Sequence, residues 1–217
     1  MDIIFINKLK AFGIIPIEYN ALVLLLKGYK SPEDKIANLC KKGYLIRLKK
    51  GLYLVSSKIT EKSYSKELIA NHIYGPSYLS FEYTLSYYGL IPERVTLVSS
   101  IATKRAKKIA TPLGDFEYTK ATHSYFAIGL KQLVLDNKLT YLIASPEKAI
   151  CDMIVFKNNF RIQSYKAIKE LLLENYRIDF TTIENWDLSI IDELISLGIK
   201  SIELKFIKKL IQDECNL

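Results

Sequence analysis

Apolar residues recur at helical spacing in three N-terminal segments. The first covers residues 2–12, and the second, residues 17–27, is apolar on most of its sides. The third has the clearest start, because Ser31 is a candidate N-cap and Pro32 falls at the first helical position. Gly43 is suited to end this segment. The pattern predicts three consecutive helices.

The apolar spacing becomes strand-like after the third helix, in the segment GYLIRLKKGLYLV. Apolar residues alternate imperfectly with cations, Lys50 and Gly51 are suited to a tight turn, and residues 52–55 return as a second strand. Three helices followed by a hairpin is the order of a winged helix-turn-helix. In that fold the third helix enters the major groove, and the hairpin lies along the DNA backbone. We therefore predict this domain over residues 1–58.

The remaining residues, 59–217, predict a second, mixed domain, so the expected fold class is α+β. Residues 57–63 form a short polar stretch, which is typical of a linker. Helices are expected at 64–74 and 80–88, and an antiparallel sheet at about 95–143. The expected strands are 95–101, 107–111, 116–121, 125–130 and 139–143. Residues 145–217 are expected to be helical, with separate helices at 163–176, 188–197 and 202–211.

The positive charge of the chain is concentrated at its N-terminal end. The 217 residues carry a net charge of +8, and 49% of them are hydrophobic. Residues 1–58 hold 11 lysines and arginines against 4 acidic residues, whereas residues 161–217 hold 8 against 10. A basic module is typical of a phosphate-binding surface. Together with the predicted fold, this basic charge favours binding to double-stranded DNA over the alternative of a basic surface that contacts only solvent.

Two sets of residues are candidates for contacts with DNA. The first set lies on the third helix and the hairpin and comprises Lys35, Asn38, Lys41, Lys42, Arg47, Lys49 and Lys50. Its cations would neutralise phosphates, while the amide of Asn38 either pairs with adenine or is an ordinary surface group. The second set comprises Lys104, Arg105, Lys107 and Lys108. A second phosphate-contacting patch and a solvated hairpin turn are both open interpretations of it.

One segment, SPEKAICD, resembles a catalytic cluster because it contains Glu147, Lys148 and Asp152. A structural interpretation is favoured, since Ser145 can cap a helix and Lys148 can pair with Asp152 one turn later. We accordingly predict no catalytic residue, no metal site and no cofactor.

Other residues with chemical potential also have structural explanations. Asp115, Glu117 and Lys120 hint at a nuclease core, but the spacing of three places Glu117 and Lys120 on opposite faces of a strand. His72 and His123 fall in no metal-ligand motif and are expected to be structural. The tyrosines at positions 78, 83, 87 and 88 are expected to pack in the core and not to stack on bases.

Cysteine usage and hydropathy both indicate a cytoplasmic protein. Cys40, Cys151 and Cys215 are odd in number and widely spaced, which favours reduced thiols over disulfides or a zinc site. The longest strongly apolar run, residues 21–26, is far shorter than the roughly 20 residues that span a bilayer. The N-terminus also lacks the charge order of a secretory signal, so we expect no membrane contact.

Three segments resemble the AbiEi family, the antitoxins of abortive-infection, type IV toxin–antitoxin systems. They are GYLIRLKKGLY (43–53), YLSFEYTLSYYGLIPE (78–93) and ASPEKAICDMI (144–154), in the family's order. With the preceding helix they cover residues from about 31 to 155, and the helices after Gln163 resemble the family only in general character. The resemblance implies an N-terminal winged helix that represses its own operon by binding inverted repeats. It also implies a C-terminal antitoxin domain.

The resemblance implies a second partner, a nucleotidyltransferase-like toxin encoded beside the antitoxin, which such antitoxins are not thought to neutralise by a simple stable complex. Two other function classes stay open on the sequence. One is a nuclease or toxin-modifying enzyme with a winged-helix targeting arm, which would need carboxylates converging on a metal. The other is a protein–protein adaptor, which would lack salt-dependent affinity for DNA.

Overall fold

The structure, a computed structural model, describes residues 3–135, 139–157 and 162–215 and combines helices with two β-sheets. Its first elements are α1 (Ile3–Lys10), β1 (Ile17–Glu18), α2 (Tyr19–Leu25), α3 (Pro32–Lys41), β2 (Leu45–Lys49) and β3 (Leu52–Val55). The three helices and the hairpin predicted from the apolar pattern are therefore present. Gly51 makes the hairpin turn with a φ of +81°, which glycine adopts without strain. Asp2, in the predicted first helix, lies outside the described residues.

The second helix begins later than predicted. Residues 17–18 form β1 instead of its first turn, with Ile17 opposite Tyr53 in β3. The backbone N–H of Tyr19 also donates to the oxygen of Gly51, at 2.9 Å. Pairing with β3 overrides the helical spacing because it satisfies backbone groups that a first helical turn leaves without partners. The three strands form an antiparallel sheet in the order β1-β3-β2.

The later elements include both helices and strands. They are α4 (Ser57–Thr60), α5 (Lys66–Ile73), β4 (Ser77–Leu79), α6 (Phe81–Tyr87), β5 (Val98–Ala102), β6 (Lys107–Thr111), β7 (Gly114–Lys120), α7 (His123–Phe126), β8 (Leu130–Leu135), β9 (Leu139–Ala144), α8 (Pro146–Asp152), α9 (Tyr165–Lys169), α10 (Leu188–Ser196) and α11 (Ser201–Cys215). Helix α8 continues in π-helical geometry over Met153–Lys157, and α9 does so over Glu170–Asn175. The predicted helical character after residue 145 is confirmed for the described residues.

The central sheet is mixed, so the predicted antiparallel sheet is wrong. Its strand order is β6-β7-β5-β4-β9-β8, and the pairs β5–β7 and β4–β9 are parallel. The strand β4 was not predicted. It has three residues, and it lies beside a strand from much later in the chain, with Leu79 opposite Ile143. Local spacing carries no information about such long-range pairing.

Two further segments differ from the prediction. Residues 125–130 were expected to form a strand, but Thr122 Oγ1 accepts the backbone N–H of Tyr125 at 3.4 Å and caps the short helix α7. The strand follows later, as β8. The predicted linker at 57–63 begins with helix α4, which Ser56 caps by accepting the backbone N–H of Lys58 at 3.3 Å. Both caps are side-chain hydrogen bonds that hydropathy does not record.

Strand β3 of the hairpin is buried on both of its faces. Tyr53 and Val55 pack with the three N-terminal helices, whereas Leu52 and Leu54 pack with α5 and the central sheet. Alternation of side chains along a strand explains how all four residues of β3 become buried. The domain boundary at residue 58 stays a prediction, and an apolar cluster joins the residues on its two sides.

The C-terminal helices cover the other face of the central sheet. Ile101 of β5, Ile150 of α8 and Leu194 of α10 belong to this second core and are fully buried. Within the described ranges, no helix has both the length and the apolar character needed to cross a bilayer.

Candidate nucleic-acid interface

Helix α3 exposes a polar face toward its C-terminal end. Ile36 and Leu39 are buried in the N-terminal core, while Asn38, Lys41 and Lys42 are exposed. A spacing of three and four residues places these three exposed side chains on one face of the helix. This face can present an amide to a base edge between two cations that contact phosphates.

The N-terminal turn of α3 is acidic, and Ser31 occupies the predicted N-cap position without making a side-chain cap hydrogen bond. Ser31 Oγ donates to Asp34 Oδ2 at 2.6 Å and accepts no backbone N–H. Glu33 accepts a hydrogen bond from the Tyr19 hydroxyl at 3.1 Å. The charges along α3 therefore complement the helix dipole, because carboxylates lie in the first turn and Lys41 lies in the last turn. The cationic end is the one suited to phosphates.

Lys35 lies against two aromatic rings. Its Nζ is 4.5 Å from the ring centroid of Tyr29 and 5.8 Å from that of Phe5. Such cation–π contacts orient an ammonium group without neutralising it. Lys35 is half-buried and one turn before Asn38, so it extends the cationic face of α3 toward α1.

The cations of the hairpin face two directions. Arg47 and Lys50 are exposed, but a β-bulge shifts the register between Arg47 and Lys49. Beyond the bulge, Lys49 Nζ donates to the backbone oxygen of Ile73. Burial lowers the pKa of Lys49, and the charges of Lys107 and Lys104 lower it further. Lys49 thus ties the hairpin to the end of α5, whereas Arg47 and Lys50 face solvent.

The second predicted set, Lys104, Arg105, Lys107 and Lys108, is exposed. The hydroxyl of Tyr74 donates to the backbone oxygen of Arg105 at 3.0 Å. The ammonium groups of Lys104 and Lys107 each lie 5.7 Å from the ring centroid of the same tyrosine. Lys108 forms a separate ion pair with Glu117 at 3.2 Å. The segment 103–106 joins β5 to β6, which are not neighbours in the sheet, so it is not a hairpin turn.

The structure therefore brings one residue of the first set, Lys49, close to Lys104 and Lys107 of the second. Tyr74, which contacts Lys104 and Lys107 through its ring and Arg105 through its hydroxyl, was not among the predicted site residues. No local signal marks it, because its partners lie about 30 residues away in the chain.

A charged cluster lies in the interior at the start of α8. Ser145 Oγ accepts the backbone N–H of Lys148 at 3.2 Å, and Lys148 Nζ lies 3.4 Å from Asp152 Oδ1. The predicted cap and ion pair are therefore confirmed. Both charged side chains are 0% exposed, which the sequence did not indicate.

Asp152 is the centre of this cluster. Its Oδ2 accepts from Ser80 Oγ at 2.6 Å and from the Tyr78 hydroxyl at 3.2 Å. Its Oδ1 accepts from the Tyr125 hydroxyl at 2.8 Å. Lys148 Nζ also donates to the backbone oxygen of Tyr125 at 2.9 Å. These contacts connect β4, α7 and α8, so each polar group has an internal structural role.

Burial sets the electrostatics of the pair. It raises the pKa of Asp152 and lowers the pKa of Lys148, and the attraction between the two charges opposes both shifts. Glu147 is also buried, and its Oε1 accepts the backbone N–H of Asp187 at 2.8 Å. Its Oε2 has no hydrogen-bond partner among the described residues.

The remaining candidates for chemistry are dispersed. Among residues 3–135, 139–157 and 162–215, no three His, Cys, Asp or Glu side chains gather as metal ligands would. Asp115, Glu117 and Lys120 all lie on β7, and Glu117 is half-buried beside Lys108. His72 Nδ1 lies 2.8 Å from the backbone oxygen of Leu68, and His123 is exposed in α7.

The predicted core role of the four tyrosines is confirmed in part. Tyr78 is fully buried, in β4. Tyr83 and Tyr88 are half-buried and donate to Glu67 Oε1 at 2.5 Å and to the oxygen of Ala144 at 3.1 Å. Tyr87 is 48% exposed, so the core prediction is wrong for this residue.

The exposed cations of α3, the hairpin and the 103–108 segment make up the candidate interface. Arg47 and Lys50 lie on the hairpin that joins the other two parts. The interface rests on this geometry alone, because no protein-family model matches the chain and no curated protein matches its sequence.

Proposed function

We propose that this chain is a transcriptional repressor that binds double-stranded DNA through a winged helix-turn-helix at residues 1–58. The order α1-β1-α2-α3-β2-β3, with β1 added to the hairpin, supports this assignment. In it, α3 is the recognition helix and β2–β3 is the wing. As a repressor, the chain would act in the cytoplasm.

One observation carries the proposal: α3 presents Asn38, Lys41 and Lys42 together on an exposed face. Lys41 and Lys42 would neutralise phosphates, and Asn38 would read one base pair. Arg47 and Lys50 on the adjoining hairpin would contact the backbone beside them. An inverted-repeat operator would require two copies of the chain.

The second part of the proposal is that the repressor is an antitoxin of the AbiEi type, acting against a nucleotidyltransferase-like toxin. It rests on the three segments that resemble that family. Two of them meet around the buried carboxylate, because Tyr78 and Ser80 belong to one and Lys148 and Asp152 to the other. The segments that carry the resemblance thus contain the contacts that hold the central fold together.

DNA binding is tested with paired lysine substitutions in the full chain. Lys41→Ala with Lys42→Ala removes two exposed charges from α3, and Lys166→Ala with Lys205→Ala removes two from α9 and α11. Binding to DNA from upstream of the reading frame is measured by fluorescence anisotropy over a series of salt concentrations. The α3 variant should lower the steepness of log K against log salt by about 1.8, and the control should not. Equal behaviour of the two variants would contradict α3 as the recognition helix.

Antitoxin activity is tested by co-expressing the chain with the toxin-like gene encoded beside it, with the toxin under an unrelated promoter. If the antitoxin function is separate from repression, the variant with Lys41→Ala and Lys42→Ala should still protect colonies. Loss of protection in this variant would mean that DNA binding alone accounts for the effect.

A further inference from the structure

Two cations lie over one aromatic ring where the hairpin meets the central sheet, and a third cation lies beside them. Tyr74 follows α5, and the ammonium groups of Lys104 and Lys107 lie 5.7 Å from its ring centroid. Lys49 approaches from the hairpin and donates to the oxygen of Ile73, the residue next to Tyr74. The three side chains come from β2, the β5–β6 connection and β6.

Among the described residues, these three like charges form no ion pair with an acidic side chain. Burial lowers the pKa of Lys49 most, Lys107 and Lys104 lower it further, and Glu18 opposes this effect. Among the described residues, the ion pairs include none with Lys104, Arg105 or Lys107. Like charges held together without a counter-ion repel one another, and an anion bound there would remove that repulsion.

The surroundings hold this arrangement in place. Tyr74 donates through its hydroxyl to the backbone oxygen of Arg105, which fixes the path of the connection. Leu48, Leu52 and Leu54 of the hairpin share an apolar cluster with Ile73 and its neighbours in the sheet. The hairpin and the 103–108 segment are therefore packed together. Lys50, which is exposed at the hairpin turn, directly follows Lys49 in the sequence.

We propose that Lys50, Lys104, Arg105 and Lys107 form one phosphate-binding surface that extends the DNA contact from the N-terminal module onto the central sheet. Lys49 is a positioning residue, which keeps the hairpin beside Tyr74. The inference rests on the proposed DNA binding and deepens it. Cations spread over the hairpin turn and the 103–108 segment fit the repeated charges of a nucleic-acid backbone better than one small anion.

The test uses the full chain with Lys104→Ala and Lys107→Ala, against the control pair Lys166→Ala and Lys205→Ala. Both substituted pairs are exposed, and each removes two positive charges. We expect the first variant alone to lower the steepness of log K against log salt by about 1.8. Its loss of affinity between about 0.05 and 0.2 M salt should then be about 12-fold smaller than that of the unsubstituted chain. The effect should be equal on upstream and scrambled duplexes, since phosphate contacts carry no sequence information.

A second measurement shortens the duplex in steps from either end of the bound site. The unsubstituted chain should lose affinity before the variant does, because only the unsubstituted chain uses the outer phosphates. Unchanged salt dependence in the variant, or a decrease equal to that of the control pair, would overturn this inference while leaving DNA binding by α3 intact. Salt-independent binding by the unsubstituted chain would instead overturn the proposed function. Binding to an acidic protein but not to duplexes would overturn both.

Discussion

Substitution of Asp152 by Asn tests whether the buried ion pair holds the central fold together. The change preserves the shape of the side chain but removes its charge, and Lys148 then remains 0% exposed without a counter-ion. Breaking a buried pair by removing one partner costs about 3–5 kcal/mol. The hydroxyl partners add less, because Ser80, Tyr78 and Tyr125 can rotate their hydroxyl groups to suit an amide. A loss of this size is a large part of the roughly 5–15 kcal/mol that stabilises a typical domain.

Equilibrium unfolding in urea is the assay. Trp186, the one tryptophan in the chain, packs against Phe180 with ring centroids 5.6 Å apart and reports on the helical region. Lys148→Met is the matched control, and the two substitutions combined complete a double-mutant cycle. We expect the double variant to lose about 0.5–3 kcal/mol less stability than the sum of the losses in the two single variants. A loss below about 1 kcal/mol for Asp152→Asn, or additive losses, would refute charge pairing as the reason for this cluster.

Three further predictions concern single residues. Gly129→Ala should destabilise the fold by about 2–5 kcal/mol, from backbone strain and overpacking together. Gly129 has a φ of +64°, and a Cβ there would lie 2.7 Å from Ile190 Cγ2. The control Gly28→Ala should be tolerated, because a Cβ at Gly28 would have no neighbour within 4 Å. Equal unfolding midpoints for the two variants would contradict this prediction. Burial raises the pKa of Glu67, but hydrogen bonds from Ser65 and Tyr83 outweigh it and lower the pKa below 4.5. Glu67 therefore stabilises the fold above pH 4.5, and the stability advantage over Glu67→Gln should shrink as the pH falls through the folded pKa. Asn38→Ala should cost about 1–3 kcal/mol at one base pair of the operator and leave binding to scrambled DNA unchanged, and unaltered discrimination would make Asn38 an ordinary surface residue.

The elements that the sequence predicted well have local causes. Pro32 at the start and Gly43 after the end bracket α3, and the glycine at the Lys50–Gly51 turn produces the hairpin. Strand β6 has the predicted bounds, 107–111, and a turn at 112–113 ends it. The winged-helix assignment itself depends on how these elements are used and belongs to the proposal.

The features that the sequence could not predict are set by contacts between distant residues. Strand β4 is three residues long and exists because β5 and β9 flank it, so the mixed topology has no local signature. The pairing of Lys148 with Asp152 follows from their spacing, but their burial depends on what packs over α8. From the sequence, Lys49 is expected to be a solvent-facing cation of the hairpin. In the structure, the bulge after Arg47 turns Lys49 toward Ile73.

We propose that exposed cations of the N-terminal module bind the phosphates of duplex DNA. The most direct test is the salt dependence of affinity between the full chain and the DNA upstream of its reading frame. Four exposed cations of α3 and the hairpin, Lys41, Lys42, Arg47 and Lys50, together contribute about −3.6 to the slope of log K against log salt. The upstream duplex should also bind more tightly than a scrambled duplex at every salt concentration. A flat line would contradict binding to phosphates, and equal affinity for the two duplexes would contradict recognition of an operator.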